Sequence, residues 1–389
     1  MRVAPDRRLR ILITNRVLAN RTGSEIYVRD LAFALLRRGH RPVVYSPLLG
    51  GIAAEIRAAT VPVVDDLSEI GGRIDVIHGH HGLETLAALL ACPGVPAVSV
   101  CHSWIGWADA PVRFPRLLRY LAVDHACRDR LVFEHGIPDE RTHVVLNAVD
   151  LDRFRPRGPL PARPARALVF SNSAGGRSPY LAAIRKVCAA EGIAVDVAGF
   201  KSGHSLERPE NVLGQYDLVF AKGRAALESA VVGTSVVLCD VAGAGPMITT
   251  ANFNQLRPLN FGMRTLSEPA TREALAREIA RYDPADAAAV SRRLREAAGH
   301  DALVDELLGL YDEVIAEHRS MADDPVAEQR AAAHYLQTLA PRMHQRDILK
   351  GAFARVLTLP IAGALIRRRA ARESDRHWFP QLLRSMDRD

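Results

Sequence analysis

Cysteine is scarce in this chain and badly placed for pairing. Cys92, Cys101, Cys127, Cys188 and Cys239 are odd in number and scattered, with no CxxC pair. That spacing indicates neither a disulfide framework nor a zinc site and fits a reducing compartment best. Aromatic residues make up only 6% of the chain. No stacking platform or zinc-finger spacing appears, which argues against nucleic acid as a partner. Long apolar runs are missing too: no segment supplies the roughly 18 uninterrupted apolar residues of a spanning helix. The opening residues, MRVAPDRRLRILITN, hold basic side chains but only a short apolar run before Asn15. They are expected to form a first strand rather than a secretion signal.

Charge of one sign is also lacking over most of the chain. The formal net charge is +7, but residues 341–389 carry eleven Arg and Lys against five Asp and Glu. The tail therefore holds +6 and the rest of the chain about +1, so no basic core surface is expected. What remains is an ordinary globular composition, with 48% hydrophobic and 24% charged residues over 389 positions, enough for two or three domains with real cores.

Short apolar runs alternate with helical patterns. Residues 10–14 read as a strand, 25–38 as an amphipathic helix closed by Gly39, and 42–46 as a second strand. Further strand-like runs fall at 75–78, 97–101, 121–123 and 143–146. Such alternation points to a parallel, doubly wound sheet. Residues 155–166, RPRGPLPARPAR, lack periodicity and read as a linker. The pattern then restarts at 167–171 and 194–199 and becomes helix-rich from 268 to about 318. The reading is an α/β chain of two Rossmann-like domains facing across a cleft, with a helical C-terminal tail. Its boundaries are 1–154, a linker at 155–166, 167–320, and a basic tail at 321–389.

The most informative stretch is residues 216–237, YDLVFAKGRAALESAVVGTSVV. It reads as strand, turn, helix and strand, with the turn at Lys222-Gly223-Arg224 and Gly233 closing the helix. A helix that starts at a glycine between two cations suits an anion such as a diphosphate. Glu228 lies one turn further in, where a carboxylate can accept hydrogen bonds from sugar hydroxyls. Gly23 and Ser24 start the first helix and approach the same anion from the other side. The segment 242–250, AGAGPMITT, reads as a strand-end loop that offers Gly245 and further backbone N–H groups. Gly23 and Gly245 fit plain turn geometry equally well. His102 follows a buried strand and is expected to enter the cleft as the catalytic candidate, though a satisfied loop histidine is an open alternative. His78, His80 and His81 have metal-ligand character, but no carboxylate pair stands near them at ligand spacing, so no metal is expected.

In order along the chain, several segments resemble the nucleotide-sugar-dependent glycosyltransferases of GT-B fold, in the large retaining group of bacterial mannosyl- and glucosyltransferases. Thr22-Gly23-Ser24-Glu25 followed by LAFALLRRGHRPVVYSP is similar to that family's first glycine loop, helix and strand. DVIHGH at 75–80 and VSVCHS at 98–103 resemble its strand ends, the second placing a histidine beside the donor sugar. VVLNAVDLDRF at 144–154 is similar to the signature before its domain crossover, and ALESAVVGTSVV to its nucleotide-binding helix and strand. The resemblance covers roughly residues 9–319. It implies sugar transfer with retention from a nucleotide-sugar donor to an unidentified acceptor, with no metal and no other cofactor. It makes Glu228 the ribose ligand and Arg177 the remnant of a cationic pair at the start of the second domain. It also implies cytoplasmic work in cell-envelope polysaccharide assembly.

Two departures from the family pattern stand out. Its first glutamate falls on Phe220, and no lysine stands near Arg177. A non-catalytic carbohydrate-assembly protein and a nucleotide-sugar epimerase on the same fold therefore stay open. In the tail, residues 348–366 are apolar but interrupted by Lys350, Arg355 and Pro360 and followed by Arg367-Arg368-Arg369. This suits either a helix lying on an anionic membrane at the inner face or one packed on the domains.

Overall fold

A computed structural model describes residues 8–175 and 178–358. Two parallel sheets dominate it. The first sheet contains β1 (Arg10–Thr14), β2 (Arg41–Tyr45), β3 (Val63–Val64), β4 (Val76–His80), β5 (Ala97–Cys101), β6 (Leu117–Ala122) and β7 (Thr142–Val144). Its helices are α1 (Gly23–Arg37), α2 (Gly51–Ala58), α3 (Gly82–Ala91) and α4 (His125–Asp129). The second sheet contains β8 (Arg166–Phe170), β9 (Ala194–Ala198), β10 (Leu218–Ala221), β11 (Ser235–Asp240) and β12 (Gly243–Met247). Around and beyond it run α5 (Pro179–Ala190), α6 (Gly223–Val232), α7 (Phe253–Leu256), α8 (Arg272–Ile279), α9 (Pro284–Ala297), α10 (His300–Arg319) and α11 (Pro325–Thr358).

The first sheet has the order β3-β2-β1-β4-β5-β6-β7, all parallel. The second has the order β12-β11-β10-β8-β9, with only β12 antiparallel. In each sheet the order reverses once, between β1 and β4 and between β8 and β10. A reversal opens a crevice at the carboxyl ends of the strands, because the helices leaving there turn to opposite faces.

The central strands are apolar because both faces are covered. Ile11, Leu12 and Ile13 of β1 are fully buried. Alternation along β10 sends Val219 and Ala221 into the layer with α6 and α9, and Leu218 and Phe220 into the layer with α5 and α8. Phe220 is thus a core residue, in register with Val169 and Val237 of the neighbouring strands. The first helix is capped by its own sequence: Glu25 accepts hydrogen bonds from the backbone N–H of Thr22 (2.9 Å) and Asn20 (3.2 Å).

The sequence-expected elements are found with small shifts of boundary. Residues 155–165 form no regular element, yet the segment is anchored. Arg157 donates its backbone N–H to Val232 and pairs with Asp217 at 3.2 Å. After the second sheet the chain returns to the first. Helix α10 packs on α1, β5 and β6, and Tyr311 meets His78 Nδ1 through its hydroxyl at 2.6 Å. One correction concerns 242–250. The segment expected as a loop contains β12, and Gly245 lies in that strand where a Cβ would strike the Thr265 carbonyl oxygen.

Among the described residues, 113–115 and 324–358 form a compact unit of their own that contains α11. Of the tail segment 348–366, residues 359–366 lie outside the described residues. Among the described residues no helix is long and apolar enough to cross a membrane.

Candidate active site between the two sheets

A cavity of about 520 Å³ opens at the carboxyl ends of both sheets. Gly23 and Ser24 of α1 and His81 and His102 from the ends of β4 and β5 line one side. Ser171, Lys222, Gly223, Arg224 and Glu228 line the other. Seven of the nine residues proposed from sequence are therefore brought together: His102, Gly23, Ser24, Lys222, Gly223, Arg224 and Glu228. Gly245 is not among the lining residues, because β12 carries it into the sheet. Arg177 lies outside the described residues.

The glycines play different parts. A Cβ on Gly23 would meet nothing within 4 Å, so the α1 start faces open cleft. Gly223 has φ +59, which only glycine adopts without strain. Its N–H is already donated to the Phe261 carbonyl at 2.6 Å. That donor is therefore spent, a correction to the idea that it awaits an anion.

On the charged side of the cleft the described charges lie in a network of ion pairs. Arg224 donates Nε to Glu228 at 2.7 Å and Nη2 to Asp30 of α1. Asp30 also accepts from Arg29 Nε (2.9 Å) and Nη2 (2.7 Å). Arg29 continues to Glu55 at 2.9 Å, and Glu55 to Arg21. Arg153 reaches Glu210 at 3.0 Å. Burial opposes the Asp30 carboxylate, but Arg224 and Arg29 outweigh it and hold its pKa at about 2. Burial also opposes charge on Arg224, yet Asp30 and Glu228 outweigh it and raise the guanidinium's pKa. Lys222 pairs with Asp240 at 3.2 Å, and Ser171 donates its hydroxyl to the same carboxylate at 2.9 Å. Glu228 was expected one turn inside the helix, with its carboxylate able to accept hydrogen bonds from sugar hydroxyls. It is 5% exposed and ion-paired.

Around the ends of β4 and β5 the packed rings are polar but neutral. His80 and His102 approach through Nδ1 and Nε2 at 2.6 Å, with ring planes 18° apart. Tyr27 sets its ring edge-on to both, at 5.3 and 5.0 Å. Burial drives the pKa of His78 and His102 down to about 3 and that of His80 well below its ordinary value. All three imidazoles are neutral near pH 7. Beside them, Asp109 accepts the His102 backbone N–H at 3.1 Å. Burial pushes the Asp109 carboxyl up to about 6, against the opposing pull of that hydrogen bond and of Arg130 and Arg16. Among the described residues no three His, Cys, Asp or Glu side chains form a group able to hold a metal ion.

Sequence reasoning missed Asp30, Asp109 and Asp240. Asp30 is a helix residue whose partner Arg224 lies 194 positions away, and Asp109 sits in a loop with no pattern. Asp240 ends an apolar strand, and a carboxylate at such a place in a doubly wound sheet was a readable signal.

Residues 21–153 match the model of Glycosyltransferase Family 4. No curated protein matches the chain in sequence. Among solved structures, a glycosyltransferase from Rickettsia africae is similar with a TM-score of 0.59 at 14% identity, covering 79% of this chain and 99% of that one. Anabaena HepE, solved with UDP and glucose, is similar with a TM-score of 0.54 at 15% identity, covering 81% and 100%. The chain thus has a GT-B fold, and its residues 21–153 are similar to Glycosyltransferase Family 4.

Proposed function

We propose that this protein is a glycosyltransferase that binds a nucleoside-diphosphate sugar in the cleft. The sugar passes, with retention, to an acceptor held by the first domain. One observation carries this reading: α1 and α6 bring their N-terminal residues, with Lys222, Arg224 and Glu228, to a single cavity at the strand ends of both sheets. Leaving-group departure places charge on a diphosphate, and fixed helix ends and cations stabilise that charge without reorganising. Lys222 and Arg224 then exchange part of their contact with Asp240 and Asp30 for phosphate oxygens. Glu228 faces the same cavity one turn inside α6, where a ribose attached to that diphosphate comes within its reach. The complex of the similar HepE with UDP and glucose supports the ligand class. Retention follows from the resemblance of the sequence motifs. The basic tail adds peripheral contact with anionic membrane, motivated by its +6 charge.

A second reading is favoured by Phe220, which fills the place of a sugar-binding glutamate with a core side chain. In it the fold binds nucleotide or partner without transfer. Calorimetry with a panel of nucleoside diphosphates, followed by donor-consumption assays with candidate acceptors, separates the two. Saturable binding with acceptor-dependent turnover supports transfer. Absence of binding to every nucleotide overturns transfer and leaves the partner-binding reading.

A further inference from the structure

The buried histidines carry more information than a lining role requires. His80 is the last residue of β4. Its backbone is pinned by Thr14, whose Oγ1 accepts the His80 N–H at 2.9 Å and donates to the His80 carbonyl at 3.1 Å. Its ring is fully buried, with Nδ1 on His102 Nε2 and Nε2 without a partner among the described residues. Two neutral rings joined nitrogen to nitrogen at 2.6 Å share one proton, so only two arrangements exist.

In the first, His102 donates Nε2–H to His80. The His80 proton must then sit on Nε2, where it is a buried N–H with no acceptor. In the second, His80 donates Nδ1–H to His102, and the orphaned Nε2 carries only a lone pair. Unpartnered buried N–H groups are the rarer and costlier kind. The second arrangement therefore prevails. It leaves His102 with Nε2 accepting and the proton on Nδ1, the one ring nitrogen not engaged by His80.

We infer that His80 is a positioning residue that fixes His102 in the Nδ1–H form, so that His102 offers the cleft a hydrogen-bond donor and not a base. The ligand atom it meets is an acceptor oxygen, a sugar hydroxyl or phosphate oxygen in the nucleoside-diphosphate sugar. The last step rests on the function proposed above; the tautomer assignment does not. Burial by Tyr27 and the neighbouring imidazoles keeps His102 neutral, and the nearby Arg224 adds to that. With Nε2 committed and Nδ1 protonated, no lone pair is left on the ring to take a proton from an acceptor hydroxyl.

The experiment is long-range ¹H–¹⁵N correlation on the full chain labelled with ¹⁵N-histidine, with no nucleotide or acceptor present. The His102→Gln variant identifies the His102 signals. The expected result is a protonated-type Nδ1 and a lone-pair-type Nε2 on His102. Free imidazole side chains prefer the reverse, so the pattern is diagnostic. His80→Phe keeps the ring volume but removes the donor, and His102 should revert to the Nε2–H form. His80→Asn, whose amide nitrogen stands close to the place of Nδ1, should retain the Nδ1–H form. His80→Asp, an acceptor only, should move the proton to Nε2. A wild-type His102 protonated on Nε2 overturns the inference. So does an Nδ1–H form that survives in His80→Phe or, should that variant not fold, in His80→Asp. Failure of nucleotide to bind in calorimetry instead removes the proposed function and leaves the tautomer result standing.

Discussion

The two walls of the cleft keep polar groups in a poorly hydrated place by opposite means. The wall built on β10 and α6 uses full charges, and each described one on it has a counter-charge: Lys222 with Asp240, Arg224 with Asp30 and Glu228. The wall built on β4 and β5 uses neutral imidazoles held ring to ring. The difference follows from cost. An unpaired buried charge is far more expensive than an unpaired neutral ring nitrogen. The charged wall therefore tolerates little editing, and the neutral wall tolerates more. It also fits a division of work, with anion binding on one side and uncharged hydrogen bonding on the other.

The comparison is tested most severely by placing an unpaired charge just beneath the charged wall. Phe220→Glu puts a carboxylate into the α5–α8 layer, where neighbouring side chains are apolar. Stability should fall by about 4 kcal/mol or more in chemical denaturation. A stable Phe220→Glu protein with higher activity would show that the position belongs to the site. Next in size is Asp30→Ala, which takes the shared partner from Arg29 and Arg224. A loss of about 3–5 kcal/mol is expected, far above that of His80→Asn on the neutral wall; comparable losses would erase the contrast between the walls.

Glu228→Ala removes a ribose ligand and one partner of Arg224 together. Nucleoside diphosphate affinity should drop roughly tenfold to a hundredfold, at about 1.4 kcal/mol per tenfold. Stability should fall too, by about 1–3 kcal/mol. Unchanged affinity on titration would take Glu228 out of the site even if stability falls.

The smallest effect concerns Asp109, a carboxyl beside the neutral imidazoles. The folded pKa of Asp109, about 6, lies above its ordinary 3.8. The folded state thus binds more protons between those values. Wild-type stability carries no penalty from this group below about pH 3.8, loses stability as pH rises, and carries the full penalty above about pH 6. Asp109→Asn should remove that slope. The variant should be more stable than wild type by on the order of 1–3 kcal/mol at pH 8 and equal to it near pH 3.5. Parallel denaturation curves across this range, with no change in the difference, would show that the carboxyl is not held protonated.

Much of the fold was legible because buried parallel strands announce themselves as short apolar runs and their helices as spaced ones. Residues 10–14 and 97–101 were read at the observed bounds. The helix after Lys222 was legible from its glycine closure at Gly233. The β12 strand was not, because AGAGPM has a loop's composition, and its strand geometry is imposed by pairing with β11 and close passage of Thr265. In the site, the residue types on α1 and α6 were readable and their partners were not. Nothing local marks Asp30 as the counter-charge of Arg224, since that choice is made where α1 and α6 meet. Hence the burial and ion pairing of Glu228 could not be read from its position on the helix.

The return of α10 to the first sheet has a consequence for what counts as a folding unit here. Tyr311, whose hydroxyl meets the His78 ring, comes 233 residues later in the chain. Leu307, Tyr311 and Val314 of the same helix are fully buried. A fragment ending at the linker would own all seven strands of its sheet and still have bare apolar surface where this helix lies. During synthesis, too, the first half emerges complete in topology but uncovered, and waits for the last helix of the second half to close it.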